Sequence, residues 1–283
     1  MVAFLGIVLA FINVILWGVS DIITKASLDR ESKWKVLFIG QFFGGLLVFI
    51  IAILLGDVKN LLSSEVSYLI LLALLNLVGV YAFYEAFQKK GVALTSPIIY
   101  SYVIITVILG VIFYSETVNT IQSLAIILIL GGIFIVMSKK TERIAFDKFF
   151  MFAILSMVIW GVLYFLLKVP NLIFGAILVT SSIKLFTSFF SIPVLVTKKI
   201  KIFKLENKVL PYMLLIGVLD AMGFLAFNSA LNFSPVSIVT AISSAAPILS
   251  VSLGVIILKE SLTRKQTIGI ATAILGLILI SIF

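Results

Sequence analysis

One stretch of this chain occurs twice, and this repeat constrains the fold more than any single motif. Residues 220–261 align without a gap on residues 76–117 at a shift of 144. The paired positions include glycines and an acid: Gly79 with Gly223, Gly110 with Gly254, and Glu116 with Glu260. Each copy has the pattern of two long apolar helices joined by a short turn. The chain is therefore expected to contain two copies of one structural unit.

The apolar runs in and around these copies are long enough to cross a membrane. The chain is 62% hydrophobic and 12% charged, whereas soluble domains have about 25% charged residues. A helix of about 20 apolar residues spans the hydrocarbon core, and the runs lack the alternation of a membrane β-barrel. The sequence predicts an all-α integral membrane protein with ten spans, near residues 3–26, 34–55, 66–88, 92–113, 120–138, 149–168, 171–197, 209–231, 235–258 and 264–282.

The repeat extends over almost the whole chain. At a shift of 143, three residues of the first span fall on residues of the sixth, and one of the second span falls on the seventh: Trp17 on Trp160, Gly18 on Gly161, Lys25 on Lys168, and Gln41 on Lys184. Two capping boxes also correspond, Asn119 with Gln122 and Thr263 with Gln266. We predict a first five-helix repeat at 1–138, a basic cytoplasmic linker at 139–148 and a second five-helix repeat at 149–283.

The positive charges predict how the two repeats are oriented. Of 21 Lys and Arg residues, 18 lie in or beside the loops after the odd-numbered spans. The positive-inside rule then makes these loops cytoplasmic and places both termini outside. Equivalent loops also differ in charge, because Glu260 has three basic neighbours within five residues and Glu116 has none. This difference is expected when two repeats are inverted relative to each other in the membrane.

Three segments resemble the drug/metabolite transporter superfamily, specifically its EamA-like ten-helix branch: WGVSDIITK at residues 17–25, ALNFSPVSIVTAISSAAPILSVSLGVIILKE at residues 230–260, and the glycine-containing last span. The resemblance covers both halves. It implies a transporter that moves amino acids, drugs, sugars or sugar conjugates through a central cavity lined mainly by spans 1, 3, 4, 6, 8 and 9. It also implies a basic residue in the second helix of each half, which Lys184 keeps and Gln41 does not.

These features favour a secondary transporter, with export of small metabolites such as amino acids by alternating access, with or without coupling to protons. The alternative with the same fold is a flippase for lipids or lipid-linked substrates, or an accessory membrane subunit. The chain has no His and no Cys, so we expect no metal site, no other cofactor and no membrane-embedded enzyme. We expect a multi-pass protein of the plasma (inner) membrane that contacts lipids and a solute and binds no nucleic acid. Its oligomeric state stays open.

The first span has a polar stripe at helical spacing, formed by Asn13, Trp17, Ser20, Asp21 and Thr24. Such a stripe is costly against lipid, so it faces protein or water. It is either hydrogen-bonding glue between helices or a cavity wall. We favour the wall, because Trp160 repeats Trp17 far from the membrane interfaces. Asp21 lies four residues before Lys25, so the two either form an ion pair or contribute to a gate.

Asp220 is the strongest candidate for a functional charge. A carboxylate near the centre of a span costs about 2.5–3.5 kcal/mol, and its repeat partner, Asn76, is also polar. Lys184 is the only basic residue deep in a span. Asp220 and Lys184 therefore form either a structural ion pair or a site where Asp220 takes up protons, and the sequence supports both equally.

Further candidates for the cavity lie on the third, fourth, sixth, eighth and ninth spans: Tyr81, Tyr84, Ser96, Tyr100, Trp160, Asn228, Thr240, Ser243 and Ser244. Pro247 is expected to kink the ninth span, because its missing N–H leaves the Ser243 carbonyl without a helical partner. Three acids are given structural roles. Glu85 is predicted to pair with Lys89 one turn away. Glu116 and Glu260 are predicted to complement the dipoles at the starts of spans 5 and 10.

Overall fold

The structure is a computed structural model that describes residues 2–56, 65–90, 92–137, 148–202, 209–258 and 263–283. Within these ranges the chain forms helices and no strands. The helices are α1 (Val2–Leu28), α2 (Lys33–Leu54), α3 (Val66–Lys90), α4 (Val92–Tyr100), α5 (Tyr102–Tyr114), α6 (Thr120–Met137), α7 (Lys148–Leu166), α8 (Lys168–Thr197), α9 (Leu210–Ala230), α10 (Val236–Ser243), α11 (Ala246–Leu258) and α12 (Arg264–Ile282). The all-α membrane fold predicted from the sequence is confirmed.

Seven of the ten predicted spans are uninterrupted helices. The fourth and ninth are each broken in two, and the seventh, α8, is kinked at Gly175, whose φ of 79° and ψ of 156° are not helical. The break between α4 and α5 falls at Ser101, and the break between α10 and α11 includes Ala245, which the repeat pairs with Ser101. The ninth span therefore bends just before Pro247, which is the second residue of α11. A proline is tolerated there because the first N–H groups of a helix have no intrahelical acceptor. The prolines of the two halves lie at different positions, but the breaks coincide.

The helix ends define two faces of the molecule. At one face, Lys33 at the start of α2 pairs with Glu85 near the end of α3; we call this the basic face, because the predicted cytoplasmic loops follow the helix ends here. At the opposite face, the Tyr68 hydroxyl near the start of α3 donates to the carbonyl of Leu166 at the end of α7. Both predicted capping boxes are confirmed, at the starts of α6 and α12.

A tryptophan of each half packs against a glycine of the other half. A Cβ atom placed on Gly223 would lie 2.6 Å from the Trp17 ring, and one on Gly79 would lie 2.6 Å from the Trp160 ring nitrogen. Only a glycine leaves room for the indole at these positions. The repeat pairs Trp17 with Trp160 and Gly79 with Gly223, so α1 packs on α9 in the same way that α7 packs on α3.

Hydrogen bonds between helices of opposite halves are duplicated at paired positions. The Asn13 amide donates to the Gly223 carbonyl (2.9 Å) and the Ser156 hydroxyl to the Gly79 carbonyl (3.2 Å). In the same manner, the Ser250 hydroxyl donates to the Gly18 carbonyl (2.8 Å) and the Thr106 hydroxyl to the Gly161 carbonyl (2.9 Å). The members of each pair of bonds are related by the sequence repeat. Each half is therefore held by equivalent contacts with the other.

The α6–α12 pair packs through small residues and gives a matched test of helix contact. A Cβ on Gly132 would lie 2.6 Å from the Gly269 carbonyl, whereas a Cβ on the adjacent Gly131 would meet no atom within 4 Å. We expect Gly132→Ala to lower the free energy of unfolding by about 1–3 kcal/mol through overpacking. Gly131→Ala should raise it by up to about 1 kcal/mol through helix propensity. Thermal unfolding in detergent measures both, and equal effects would contradict the close contact.

Candidate functional site

A cavity lies between helices of both halves, at mid-helix positions. Its volume is about 50 Å³, which is room for a few water molecules, since each needs about 10–15 Å³. Ligand pockets are usually about 300–1,000 Å³, so this cavity is smaller than a usual ligand pocket. The wall combines polar and charged groups with aromatic and aliphatic side chains: Ser20, Asp21, Thr24, Gln41, Asn76, Lys184 and Asp220, with Trp17, Val80, Phe83, Tyr84, Tyr100, Tyr102, Trp160, Tyr164, Ile216 and Phe224.

An ion pair with two amides forms the polar side of this cavity. The Lys184 ammonium donates to Asp220 Oδ2 (2.6 Å), and the Gln41 amide nitrogen donates to the same oxygen (2.9 Å). The Gln41 amide oxygen accepts from the Asn76 amide (3.3 Å) and lies 3.4 Å from the Lys184 nitrogen. The repeat pairs Gln41 with Lys184 and Asn76 with Asp220. Equivalent positions of the two halves therefore meet in one hydrogen-bonded cluster, with the charges on the second half.

Asp21 is a second carboxylate on the cavity wall, and its environment differs. The Tyr100 hydroxyl donates to Asp21 Oδ2 at 2.6 Å, and both residues are buried. Lys25 pairs with Asp29 instead of Asp21, because Asp29 lies near the exposed end of α1 where an ammonium keeps its water. Pairing of Asp21 with Lys25, one of the two alternatives drawn from the sequence, is therefore wrong. In the described part of the chain, no lysine or arginine nitrogen lies within 4.0 Å of the Asp21 carboxylate.

Aromatic rings from both halves form the remaining wall. The Trp17 ring stacks on Tyr164 with centroids 5.7 Å apart, and Tyr164 contacts Tyr102 edge to face at 4.8 Å. Trp160 lies 6.2 Å from Tyr164. The Trp17 ring nitrogen and the Tyr102 hydroxyl are buried and have no hydrogen-bond partner among the described residues. Buried polar atoms are usually paired, so these atoms provide hydrogen-bonding capacity beside the cavity.

Ten of the candidate residues drawn from the sequence line this cavity: Trp17, Ser20, Asp21, Thr24, Asn76, Tyr84, Tyr100, Trp160, Lys184 and Asp220. The other residues proposed for the substrate cavity lie elsewhere: Asn13, Tyr81, Ser96, Asn228, Thr240, Ser243 and Ser244. Asn228 is buried between Asn171 (3.0 Å) and Thr180 (2.9 Å). Tyr81 donates to Glu85 (2.6 Å) near the basic face.

The hydroxyls of Ser96, Thr240, Ser243 and Ser244 lie in the protein interior, away from the cavity. The Thr240 hydroxyl donates to the Val236 carbonyl, and the Ser244 hydroxyl donates to the Ala241 carbonyl (2.7 Å). The Ser96 and Ser243 hydroxyls are buried without a hydrogen-bond partner among the described residues. In this conformation the α10 face is thus packed in protein and does not border the cavity.

Sequence reasoning missed three residues of the wall that matter for its chemistry. Gln41 was read only as the lost basic position, although its amide connects both members of the ion pair. Tyr102 and Tyr164 lay in apolar runs where aromatic residues are common. The repeat carried a signal for Tyr164, because a shift of 143 aligns Tyr164 with Asp21 in the sequence.

Glu116 forms a contact between the halves at the face opposite the basic one. Its carboxylate accepts from the backbone N–H of Val236 (2.9 Å) and of Ser237 (3.0 Å), at the first turn of α10. It also accepts from the Ser237 hydroxyl (2.6 Å) and the Lys168 ammonium (2.8 Å). We call Glu116, Lys168 and the Val236–Ser237 turn the Glu116 latch. The prediction that Glu116 complements the start of span 5 is wrong, because the helix start that it contacts belongs to the ninth span, where two N–H groups point at it.

The Glu116 carboxyl lies outside the spanning helices and is held in its charged form. Burial raises its pKa, but the Lys168 ammonium, the Ser237 hydroxyl and the two backbone donors lower it more, so the net pKa lies below the ordinary value. Gly110 is required beside it, since a Cβ there would lie 2.9 Å from Glu116 Oε2. The latch is therefore a close-fitting charged contact that persists at neutral pH.

Two other acids complete the account of the sequence candidates. Glu85 pairs with Lys33 (2.5 Å), which lies at the start of a neighbouring helix, and its predicted pairing with Lys89 stays a prediction. The Lys89 side chain and Glu260 lie outside the described residues, as does nearly all of the predicted 139–148 linker.

Comparisons with known proteins agree with the fold. The model of the EamA-like transporter family matches residues 4–138 and 148–282. An uncharacterized protein of Methanocaldococcus jannaschii is 42% identical over 77 residues, which is 27% of this chain and 56% of that protein, so the match spans about half of the relative's length. A crystal structure described only as that of a protein superposes with a TM-score of 0.83 over 97% of this chain and 95% of the other, at 14% identity. At that identity the likeness shows the fold alone.

Proposed function

The chain belongs to the EamA-like transporter family, and we propose that it is a secondary transporter that exports small amphipathic metabolites, such as amino acids, by alternating access. Its multiple apolar helices make it a multi-pass membrane protein, and we place it in the plasma (inner) membrane. The observation that carries the proposal is the charged, aromatic cavity at mid-helix depth between the halves. Transporters with inverted repeats bind solutes near the midplane, where the repeats meet.

Duplicated contacts between the halves support an inverted arrangement of residues 1–138 and 149–283. The Trp17–Gly223 and Trp160–Gly79 contacts are equivalent in the repeat, and the loop charges have opposite bias. Two inverted units that contact each other equivalently can exchange their roles at the two faces. We propose that this exchange opens the cavity alternately to each side.

One face is closed by the Glu116 latch, and Glu260, the repeat partner of Glu116, lies outside the described residues. Lys168 is bound in the Glu116 latch, whereas Lys25, which the repeat pairs with Lys168, binds Asp29. We propose that the described conformation is contracted and closed at the latch face. A solute larger than a few water molecules requires the halves to separate around the cavity.

Proton coupling at Asp220 is retained as part of the proposal. Lys184 stabilises the charged carboxylate at 2.6 Å, so uptake of a proton by Asp220 requires this pair to separate. Opening of the cavity between α2, α8 and α9 provides such a step.

A second candidate function, a flippase for lipids or lipid-linked substrates, is favoured by an apolar groove on the outer surface of α2, α3 and α8. The groove is lined by Phe38, Phe42, Ile70, Phe186, Phe189 and Phe190 among others.

Purified protein in liposomes tests the function directly. Uptake and efflux of amino acids and amphipathic drugs are measured with and without a pH gradient. Solute movement that the gradient accelerates supports the proposal, and a gradient-independent Asp220→Asn variant supports coupling at that residue. Intact gradient-driven transport in Asp220→Asn contradicts it. Scrambling of a lipid probe without solute movement favours the flippase.

The predicted orientation is tested with single cysteines, because the chain has none of its own. Cys residues at positions 64 and 138 follow the even-numbered second and the odd-numbered fifth span. We expect a membrane-impermeant maleimide on intact cells to label Ser64→Cys and to leave Ser138→Cys unlabelled until the cells are opened. The reverse pattern would place both termini in the cytoplasm.

A further inference from the structure

The cavity wall has more carboxyl groups than ammonium groups, and this imbalance indicates what it binds. Its wall has two carboxylates, Asp21 and Asp220, and one ammonium, Lys184. The ammonium is committed to Asp220 at 2.6 Å. Asp21 is 6% exposed and has a hydroxyl donor but no cation partner in the described part of the chain. A buried carboxylate left without a cation is costly in its charged form.

The Lys184 site shows how this cavity accommodates an ammonium group. The Lys184 nitrogen contacts a carboxylate on one side and lies 4.9 Å from the centroid of the Phe224 ring on the other. A carboxylate and a ring face together replace the water that a cation loses on burial. Both attractions act on the charge, so a neutral or anionic group would gain little from this arrangement.

Asp21 shares the cavity wall with aromatic rings and has no ammonium partner among the described residues. Trp17 lies one helical turn before Asp21 on α1 and lines the same cavity. The Trp17 ring stacks on Tyr164, and the Tyr100 hydroxyl holds Asp21 Oδ2. One carboxylate oxygen is thus oriented by the protein, and the second is left for another donor.

We propose that Asp21, with the Trp17 and Tyr164 rings, is a subsite for the ammonium group of an organic amine that carries an apolar body. This inference rests on the proposed function, because the amine reaches the cavity when the halves separate. It names the substrate class of that function: primary amines and amino acids bound by their ammonium end, in preference to alcohols and carboxylic acids of the same skeleton. The Tyr102 hydroxyl, buried without a partner in the described residues, provides a hydrogen bond for a further polar group.

Direct binding tests the subsite separately from transport. Purified protein in detergent is titrated calorimetrically at pH 7.5 with 3-phenylpropylamine, its neutral isostere 3-phenyl-1-propanol, and 3-phenylpropionate. We expect the amine to bind at least tenfold more tightly than the other two. Asp21→Asn should abolish this preference, and Asp21→Glu should restore part of it. Asp29→Asn removes an exposed carboxylate just after the end of the same helix and should leave the preference unchanged.

The outcomes separate the subsite from the proposed function. Equal binding of the amine and the alcohol by the unchanged protein overturns the subsite, and this result needs no variant. An undiminished preference for the amine in Asp21→Asn also overturns it. Amine binding that depends on Asp21, without solute movement in liposomes, supports the subsite and counts against transport. Transport of uncharged solutes without amine preference supports the proposed function and overturns the subsite.

Discussion

Asp220→Asn is expected to lower the free energy of unfolding by about 3–5 kcal/mol, and Lys184→Met by somewhat less. Removing one partner of a buried ion pair leaves the other charge uncompensated, at a cost of this order. The side chains differ in burial: Lys184 is 3% exposed and Asp220 is 27% exposed toward the cavity. A lone Asp220 can therefore be hydrated, and it keeps the hydrogen bond from the Gln41 amide. A lone Lys184 is too deeply buried to be hydrated.

The double variant Lys184→Met/Asp220→Asn should recover most of this loss. It contains no unpaired charge, and Met occupies much of the volume of the lysine stem. Replacement of buried ion pairs by apolar groups is often neutral or stabilising. Unfolding titrations in mixed micelles give the coupling energy of the pair, which we expect to be about 3 kcal/mol. Additive effects of the two single changes would show that the charges do not interact.

The exposed pair Lys25–Asp29 is the matched control. It has the same charges at 2.5 Å, but its side chains are 27% and 53% exposed. Lys25→Met and Asp29→Asn should each change stability by less than about 1 kcal/mol.

The double variant of the buried pair then separates the two interpretations of Asp220, a structural ion pair and a group that serves transport. A stable double variant that still transports in liposomes has lost only a structural pair, whereas a stable but inactive one shows that the charges serve transport.

The architecture was largely predictable from sequence because membrane helices are recognised by the length and apolar composition of their segments. Positions that the repeat pairs also have equivalent contacts or contact each other: Gly79 and Gly223 each receive a tryptophan, and Gln41 and Lys184 are in contact. The break at Ser101 was harder to predict. It coincides with Ala245 in the other half, although the nearby prolines of the two halves are not at paired positions.

The site was less predictable because polarity alone does not tell which side of a helix a residue faces. Thr240 and Ser244 were expected in the cavity. Their hydroxyls instead donate to carbonyls of α10, and both side chains lie in the protein interior. The spacing of Asp21 and Lys25 suggested a pair, but a buried carboxylate and a lysine near a helix end have different hydration. Contacts between distant segments, such as Glu116 with the α10 start, leave no periodic signal at all.

Glu116→Gln is expected to open the latch face and to change the conformational equilibrium about thirtyfold. Gln keeps one oxygen acceptor but loses the charge that binds Lys168 and the α10 N–H groups. Hydrogen bonds to charged groups contribute about 1.5–3 kcal/mol each, and a net loss of about 2 kcal/mol corresponds to this factor. Spin labels on Thr117→Cys and Asn232→Cys, two exposed positions on either side of the latch, report the opening as a longer distance.

Acid should open the same latch in the unchanged protein. The Glu116 pKa is below its ordinary value of 4.5 when the latch is closed. Above pH 4.5 the carboxyl is charged and stabilises the closed latch. This stabilisation is lost as the pH falls through the lowered pKa. The label distance should be constant from pH 8 to about 5 and lengthen at lower pH, and Glu116→Gln should remove that dependence. Glu31→Gln, which changes an acid paired with Lys35 at the basic face, should leave both the distance and its pH dependence unaltered. An unchanged distance in Glu116→Gln would mean that other contacts, such as that of Tyr68 with Leu166, close this face.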